Sequence, residues 1–287
     1  MLEACLWHDD RAAPSVRFAR ALSKASSRPI ASPLWTTSHR QGLHPRMTDP
    51  IYAIPDIHGQ DALLDAALDL VTQDGGAQAR IVFLGDLVDR GPDSRAVIDR
   101  LMQGQADGRP WTVLKGNHDQ LFLDFIDTGQ IRSPQVRSGL TWLNPRLGGA
   151  TTLASYGVSA SEDAPAWDAA RAAVPQAHRD WLARLPLYKE VGGLLFVHAG
   201  IRPGLPLADQ SPTDLMWIRD GFLDHDAPHP WLVVHGHTAL DRPQHFGNRI
   251  DLDGGAGYGR QIWPAVFDGR SCHLLTDTGR QPLTPAG

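Results

Sequence analysis

A chain of 287 residues that is 42% hydrophobic and 21% charged can bury a sizeable core in one large domain or two small ones, and nothing in that balance suggests disorder. Its net charge of −5 gives no general basic surface for nucleic acid, and no apolar run reaches the length of a membrane-spanning helix, so neither partner is expected. Cys5 and Cys272 stand far apart with no C-x-x-C pattern, which suits a reducing, cytoplasmic setting and leaves any metal to His, Asp and Asn.

Residues 1–46 mix Ser, Arg, Pro and Trp without helical or strand periodicity. They are expected to be a translation-start extension or a disordered leader ahead of Met47, with the folded domain over 47–287. The segment lacks the compact apolar core of a secretory signal, and Glu3, Asp9 and Asp10 count against the rival reading of a transit peptide.

From Ile51 apolar strands alternate with amphipathic segments: IYAI precedes the helical DALLDAALDLV, IVFLGD precedes SRAVIDRLM, and WTVLKGN precedes DQLFLDFI. This rhythm puts polar residues at the C-terminal ends of successive strands, where open α/β sheets hold their sites. Residues 129–187 read as irregular helices broken by Pro and Gly, a helical insertion beside the site. Beyond them YKEVGGLLFVHAG is a hairpin turning at Gly192 and Gly193, and WLVVHGHT is a buried strand. HFGNRIDLD and WPAVFDGRSCHLL carry Gly-Asn and Asp-Gly turns between apolar runs. These strands either extend one sheet or build a second one packed on it.

In PDIHG, strand spacing puts Asp56 and His58 on one face and Gly59 lets the chain turn. One such pair taken alone is more often a solvated turn. Five polar clusters after five apolar runs, PDIHG, GDLVDRG, GNHD, HAG and HGHT, are hard to explain that way. Together they offer Asp56, His58, Asp86, Asn117, His198 and His237, a mixed oxygen and nitrogen set without thiolate that suits Mn, Fe or Zn.

These five blocks, in this order from Asp56 to Thr238, resemble the metallophosphoesterase superfamily and specifically its phosphoprotein phosphatase branch, which includes small bacterial and phage members. The resemblance implies a calcineurin-like α/β (α+β) fold, two packed mixed β-sheets flanked by helices. It also implies a serine/threonine protein phosphatase that uses two divalent metal ions, Mn2+ before Fe or Zn, on a phosphoprotein or small phosphoester. By the same resemblance Asp56 and His58 hold the first metal, Asp86 bridges both, and Asn117, His198 and His237 hold the second, with Asn117 also at the substrate phosphate. A bridging water whose pKa falls to about 7 then attacks phosphorus in line as hydroxide. Arg90 and Arg219 resemble the family's phosphate-binding arginines, His118 its general acid, and Asp89 the carboxylate that orients that acid.

Arg219 lies in DLMWIRDGFL, read as a helix. His235 shares a strand face with His237; the family's Gly-His-Thr pattern selects His237 and leaves His235 as a packed residue. Asn248 and the glycines of DLDGGAGYG are expected to shape a hairpin and loop, with Tyr258 either edging the groove or packing. Pro55 departs from the family's glycine, and Asp119 from the glutamate of eukaryotic members. The alternative activity is hydrolysis of dinucleoside tetraphosphates such as diadenosine tetraphosphate. That related family typically carries a small residue in place of Asp89 and a tryptophan after the last Gly-His, whereas this chain has DRG and GHT. A non-catalytic binding protein on the same fold is disfavoured by the intact ligand set.

Overall fold

The computed structural model describes residues 49–285, so the leader expected over 1–46 lies outside the described residues. The first half alternates as its periodicity predicts: β1 (Ile51–Ile54), α1 (Asp61–Gly75), β2 (Arg80–Phe83), α2 (Ser94–Ala106), β3 (Trp111–Val113) and α3 (Asn117–Thr128). Three short helices follow, α4 (Gly149–Ser155), α5 (Trp167–Ala173) and α6 (Gln176–Ala183). The hairpin β4 (Tyr188–Val191) and β5 (Leu194–Val197) precedes α7 (Pro212–Trp217), β6 (Leu232–His235), β7 (Gln244–His245) and β8 (Arg249–Asp251). The chain closes with β9 (Ala265–Asp268), β10 (Ser271–Thr276) and β11 (Gly279–Leu283).

Both alternatives for the later strands are realised. β9, β10 and β11 extend the first sheet, ordered β11-β10-β9-β1-β2-β3, while β4 to β8 form a second, ordered β4-β5-β6-β8-β7. β1, β2 and β3 are mutually parallel, and so are β5, β6 and β8; the other pairings are antiparallel, which makes both sheets mixed.

Side-chain alternation explains how the sheets stack. In β1, Ile51 and Ala53 join an apolar cluster shared with Phe196, Val234, Ile250 and Phe267 of both sheets, whereas Tyr52 and Ile54 join the helix-side cluster with Leu64, Val97 and Phe122. In β5, Leu194 and Phe196 face the first sheet while Leu195 and Val197 pack with Leu215 and Phe222. Burial on both faces is why these strands read as continuous apolar runs. Phe196 and Phe267 meet edge to face across the sandwich, 5.6 Å between ring centroids.

One element corrects the sequence reading. DLMWIRDGFL does not form a continuous helix: α7 is capped by Ser211, whose hydroxyl accepts from the Asp214 N–H, and it stops at Trp217 because Ile218 is extended (φ −60°, ψ 137°). Arg219 therefore lies beyond the helix rather than on it. Among the described residues, no helix is long and apolar enough to cross a membrane.

Candidate active site

The C-terminal ends of five strands converge, β1, β2 and β3 from one sheet and β5 and β6 from the other, and each delivers one of the polar clusters. The backbone is bent to deliver them. His58, Asp86, Asp89, Arg90 and His237 have φ of 50°, 49°, 76°, 67° and 68°, and among the described non-glycine residues only Ala166 shares that left-handed region. Such conformations cost on the order of 1–3 kcal/mol each and persist where surrounding bonds over-determine them. Here the N–H groups of Ile57 and His58 both donate to Asp86 O, and Gly91 N–H donates to His58 O. Two glycines are required by close approach: a Cβ on Gly116 would collide with Asp86 Oδ1, and one on Gly236 with Asp56 Oδ1.

All six expected metal ligands are buried and stand together. Asp86, His198 and His237 can each point one donor atom into a space less than 4.8 Å across, and so can His58, Asp86 and His118. Asp56 is 4.0 Å from His58 Nε2 and accepts from the His237 N–H with both oxygens at 3.1 Å. Burial alone would raise the Asp86 carboxyl, but His198, His118, His58 and His237 around it hold it well below the usual carboxylate range. Asp56 goes the other way, raised by burial and then by Asp253 and Asp86.

The tautomers fit cation binding. His58 Nδ1 is 2.9 Å from Val88 O and His198 Nδ1 is 2.9 Å from Leu84 O; a carbonyl only accepts, so each Nδ1 carries the proton. Burial holds both rings below the ordinary histidine pKa and hence neutral. Their Nε2 lone pairs then face Asp86 oxygens at 3.6 and 3.4 Å, and His198 Nε2 also faces Asn117 Oδ1 at 2.9 Å. Acceptors turned toward acceptors call for positive charge between them. His237 Nε2 is buried with no hydrogen-bond partner among the described residues.

The expected acid-base pair is also assembled. His118 Nδ1 lies 2.6 Å from Asp89 Oδ2, with both residues buried. Arg90 Nη1 is 2.5 Å from His58 Nε2 and Nη2 is 3.1 Å from His118 Nε2. Arg219 reaches in from its extended segment, donating to His237 O at 3.2 Å, and burial lowers its pKa. Asp86, Arg90, Asn117, His118, Arg219 and His237 line a cavity of about 610 Å³ that opens between the 134–138 loop and the end of α7.

Residues with other expected fates are equally placed. His235 lies outside both donor groups; its Nε2 is 3.2 Å from Arg249, and burial followed by Arg249 pushes it down to about 3. Asn248 donates to His225 O and Ala227 O, tying the β7–β8 turn to a neighbouring loop. Tyr258 is 63% exposed with the Arg90 guanidinium 5.3 Å from its ring centre, so rather than packing in a core it lines, with Ser138 and Leu147, a depression that shares Arg90 with the cavity. Asp119 caps α3, accepting from Leu87 N–H and Gly116 N–H at 2.9 and 2.8 Å. Burial and then Asp86 push its carboxyl up to about 8.

Sequence reasoning missed three contributors. Asp253 is buried, pushed up to about 6 first by burial, and bears on Asp56; its signal is DLD, one more acidic cluster at a strand end. Trp142 and Thr152 donate to Asp89, and nothing in their local sequence announces it.

Comparison with known proteins places this geometry. The profile of the calcineurin-like phosphoesterase family matches residues 49–255. The chain is 33% identical over 181 residues to the symmetrical bis(5'-nucleosyl)-tetraphosphatase of Paracidovorax citrulli, an alignment covering 62% of this chain but only 49% of that protein's length. It is 28% identical over 224 residues to serine/threonine-protein phosphatase 1 of Salmonella typhimurium, covering 74% and 89%. A solved cold-active protein-tyrosine phosphatase from a Shewanella species shares the fold, with a TM-score of 0.54 at 18% identity over 85% of this chain and 84% of the other.

Proposed function

The chain belongs to the calcineurin-like phosphoesterase family, and from that premise we propose that it is a divalent-metal-dependent phosphomonoesterase of the serine/threonine protein phosphatase type. The observation that carries the reading is the set of unprotonated imidazole nitrogens turned toward Asp86 and Asn117, an arrangement that cations would satisfy. Asp56, His58 and Asp86 would hold one cation, and Asp86, Asn117, His198 and His237 a second, with Mn2+ the first choice for a donor set of this mixture. When bound, two such ions supply Lewis-acid charge at a phosphoryl oxygen and acidify a water.

The chain's own residues supply the rest. Arg90 presents a planar fork, and its present contact with His58 Nε2 uses the one lone pair that a cation would take, so with a cation held there Nη1 would be free to donate to a phosphoryl oxygen. Arg219, on an extended segment at the cavity wall, supplies a second cationic contact. His118 is held through Nδ1 by Asp89, and its Nε2 now accepts from Arg90 Nη2; once that arginine turns to a phosphoryl oxygen, Nε2 is free to take up a proton and give it to the leaving oxygen. Asp89 and the Gly-His-Thr block favour this reading.

A second reading, hydrolysis of dinucleoside tetraphosphates, is favoured by the similarity to proteins named bis(5'-nucleosyl)-tetraphosphatase. The test is turnover by the Mn-loaded full chain on a phosphoserine peptide, an aryl phosphate and diadenosine tetraphosphate side by side. The phosphatase reading expects kcat/KM highest on the phosphopeptide; a preference for the dinucleotide of tenfold or more transfers the assignment to the second reading.

A further inference from the structure

Asp89, the residue that orients His118, is itself gripped by a segment more than fifty positions away in sequence. It is fully buried at a left-handed φ of 76°. Its Oδ2 accepts from Trp142 Nε1 at 2.7 Å as well as from His118 Nδ1 at 2.6 Å, and its Oδ1 accepts from Thr152 Oγ1 at 2.6 Å. Thr152 also holds the backbone, since its Oγ1 accepts from the Asp89 N–H at 2.8 Å. One hydroxyl therefore fixes both ends of the residue.

The rest of the stretch closes on the same turn. Arg90 N–H donates to Gly148 O at 3.4 Å, and a Cβ on Gly148 would run into the Arg90 backbone nitrogen. A Cβ on Gly149 would run into the Trp142 ring, and Gly149 N–H donates to Trp142 O at 3.0 Å. Residues 142–152 thus lie over the Asp89–Arg90 turn, with the two glycines permitting the approach. Trp142 is buried against Phe125 and Phe122, with ring centroids at 4.9 and 5.8 Å, which leaves its N–H a single orientation.

We propose that Trp142 and Thr152 are positioning residues for leaving-group protonation, and the proposal rests on the reading of His118 as the proton donor. A buried carboxylate facing only one imidazole can turn about its last side-chain bond. Three N–H and O–H donors on its two oxygens remove that freedom and satisfy the charge. The His118 ring, tied to Oδ2, is then aimed so that Nε2 meets the leaving oxygen. In the step concerned, water oxygen bonds to phosphorus and its spare proton passes to solvent. The P–O bond to the leaving group breaks with its electron pair on that oxygen, which takes the His118 proton, and solvent reprotonates the ring. An alkoxide cannot leave without that proton, whereas an acidic phenolate can.

The test uses metal-loaded full chain and two substrates, a phosphoserine peptide and 4-nitrophenyl phosphate. Trp142→Phe keeps a ring in place and deletes the donor; Thr152→Val deletes the hydroxyl at similar volume, and Thr152→Ser keeps it. Expected are losses of about tenfold or more in kcat on the phosphopeptide for Trp142→Phe and Thr152→Val, within the 10²- to 10⁴-fold that general acids supply. Both variants should stay near wild type on the aryl ester, Thr152→Ser should stay near wild type on both, and Trp142→Phe should add nothing in a His118→Asn background. Equal losses on the two substrates, no loss on the phosphopeptide, or an additive loss in that background would overturn the proposal. If Trp142→Phe fails to fold, the Val and Ser variants of Thr152 decide alone. A His118→Asn enzyme that itself treats the two substrates alike overturns the His118 reading instead.

Discussion

At the scale of single residues, the site is legible where chemistry restricts residue type. Carboxylate, imidazole and amide donors in five short blocks name themselves, and each block is found at the converging strand ends. Trp142 and Thr152 are not legible, because one N–H or one hydroxyl aimed at Asp89 from 53 and 63 positions away leaves no local pattern. Asp253 lies between, a strand-end acid whose partner Asp56 is distant. The two arginines proposed to hold phosphate are placed unequally: Arg90 is wedged between two imidazoles and beneath Tyr258, whereas Arg219, among the described residues, makes one side-chain hydrogen bond, to His237 O. Arg90→Lys keeps the charge and loses the fork, so kcat/KM is expected to fall about 10²-fold, against about tenfold for Arg219→Lys. Steady-state kinetics on one phosphopeptide reads both; equal effects would contradict the geometric ranking.

At the scale of elements, the first three β-α pairs follow from apolar periodicity, and β11 does not. GRQPL is half exposed at a sheet edge and contains Pro282, so it has neither an apolar face nor strand composition. The overrun of α7 has the opposite cause, since Ile218 and Phe222 continue an apolar pattern after the backbone has become extended. Beside its antiparallel ladder with β10, β11 is tied to α1 by an ion pair: Arg280 donates twice to Asp74 at 2.7 Å, and the Tyr52 hydroxyl donates to the same carboxylate at 2.7 Å. The Arg280 hydrogen bond, foremost, holds the Asp74 carboxyl below its ordinary pKa of 3.8. A depressed carboxyl stabilises the fold above the unfolded-state value and loses that contribution as pH falls through the folded one. Arg280 is partly exposed and solvent screens the pair, so Arg280→Ala is expected to cost about 1 kcal/mol at pH 7. Urea unfolding should show the difference shrinking below about pH 4; a difference unchanged down to pH 3 would mean that the ion pair is not its source. Tyr52, pushed up to about 12 by burial and then by Asp74, sets the opposite limit, its share lost as pH rises past 10.

At the scale of the whole molecule, the two sheets meet twice, through the apolar layer that joins Ile51, Phe196 and Phe267 and through the polar centre at their strand ends. The sandwich itself entered as a family resemblance, because strand patterns alone left open whether the later strands extend one sheet or build another. The polar centre draws Asp56, His58, Asp86 and Asn117 from the side of the first sheet and His198 and His237 from the second. A cation bound there ties one sheet to the other and stabilises only the folded chain, by about 2.7 kcal/mol at a hundredfold excess over Kd. Among the described residues Asp86 faces imidazoles from both sheets, His58 on one side and His198 on the other. The most direct measurement is therefore metal content with the thermal midpoint, with and without a chelator, for wild type and Asp86→Asn. The wild type should carry about two divalent ions per chain and melt several degrees lower when chelated, while Asp86→Asn should lose metal, activity and the chelator response together. A wild type without bound metal, or an Asp86→Asn protein that keeps its ions and more than about a tenth of its rate, would contradict the account.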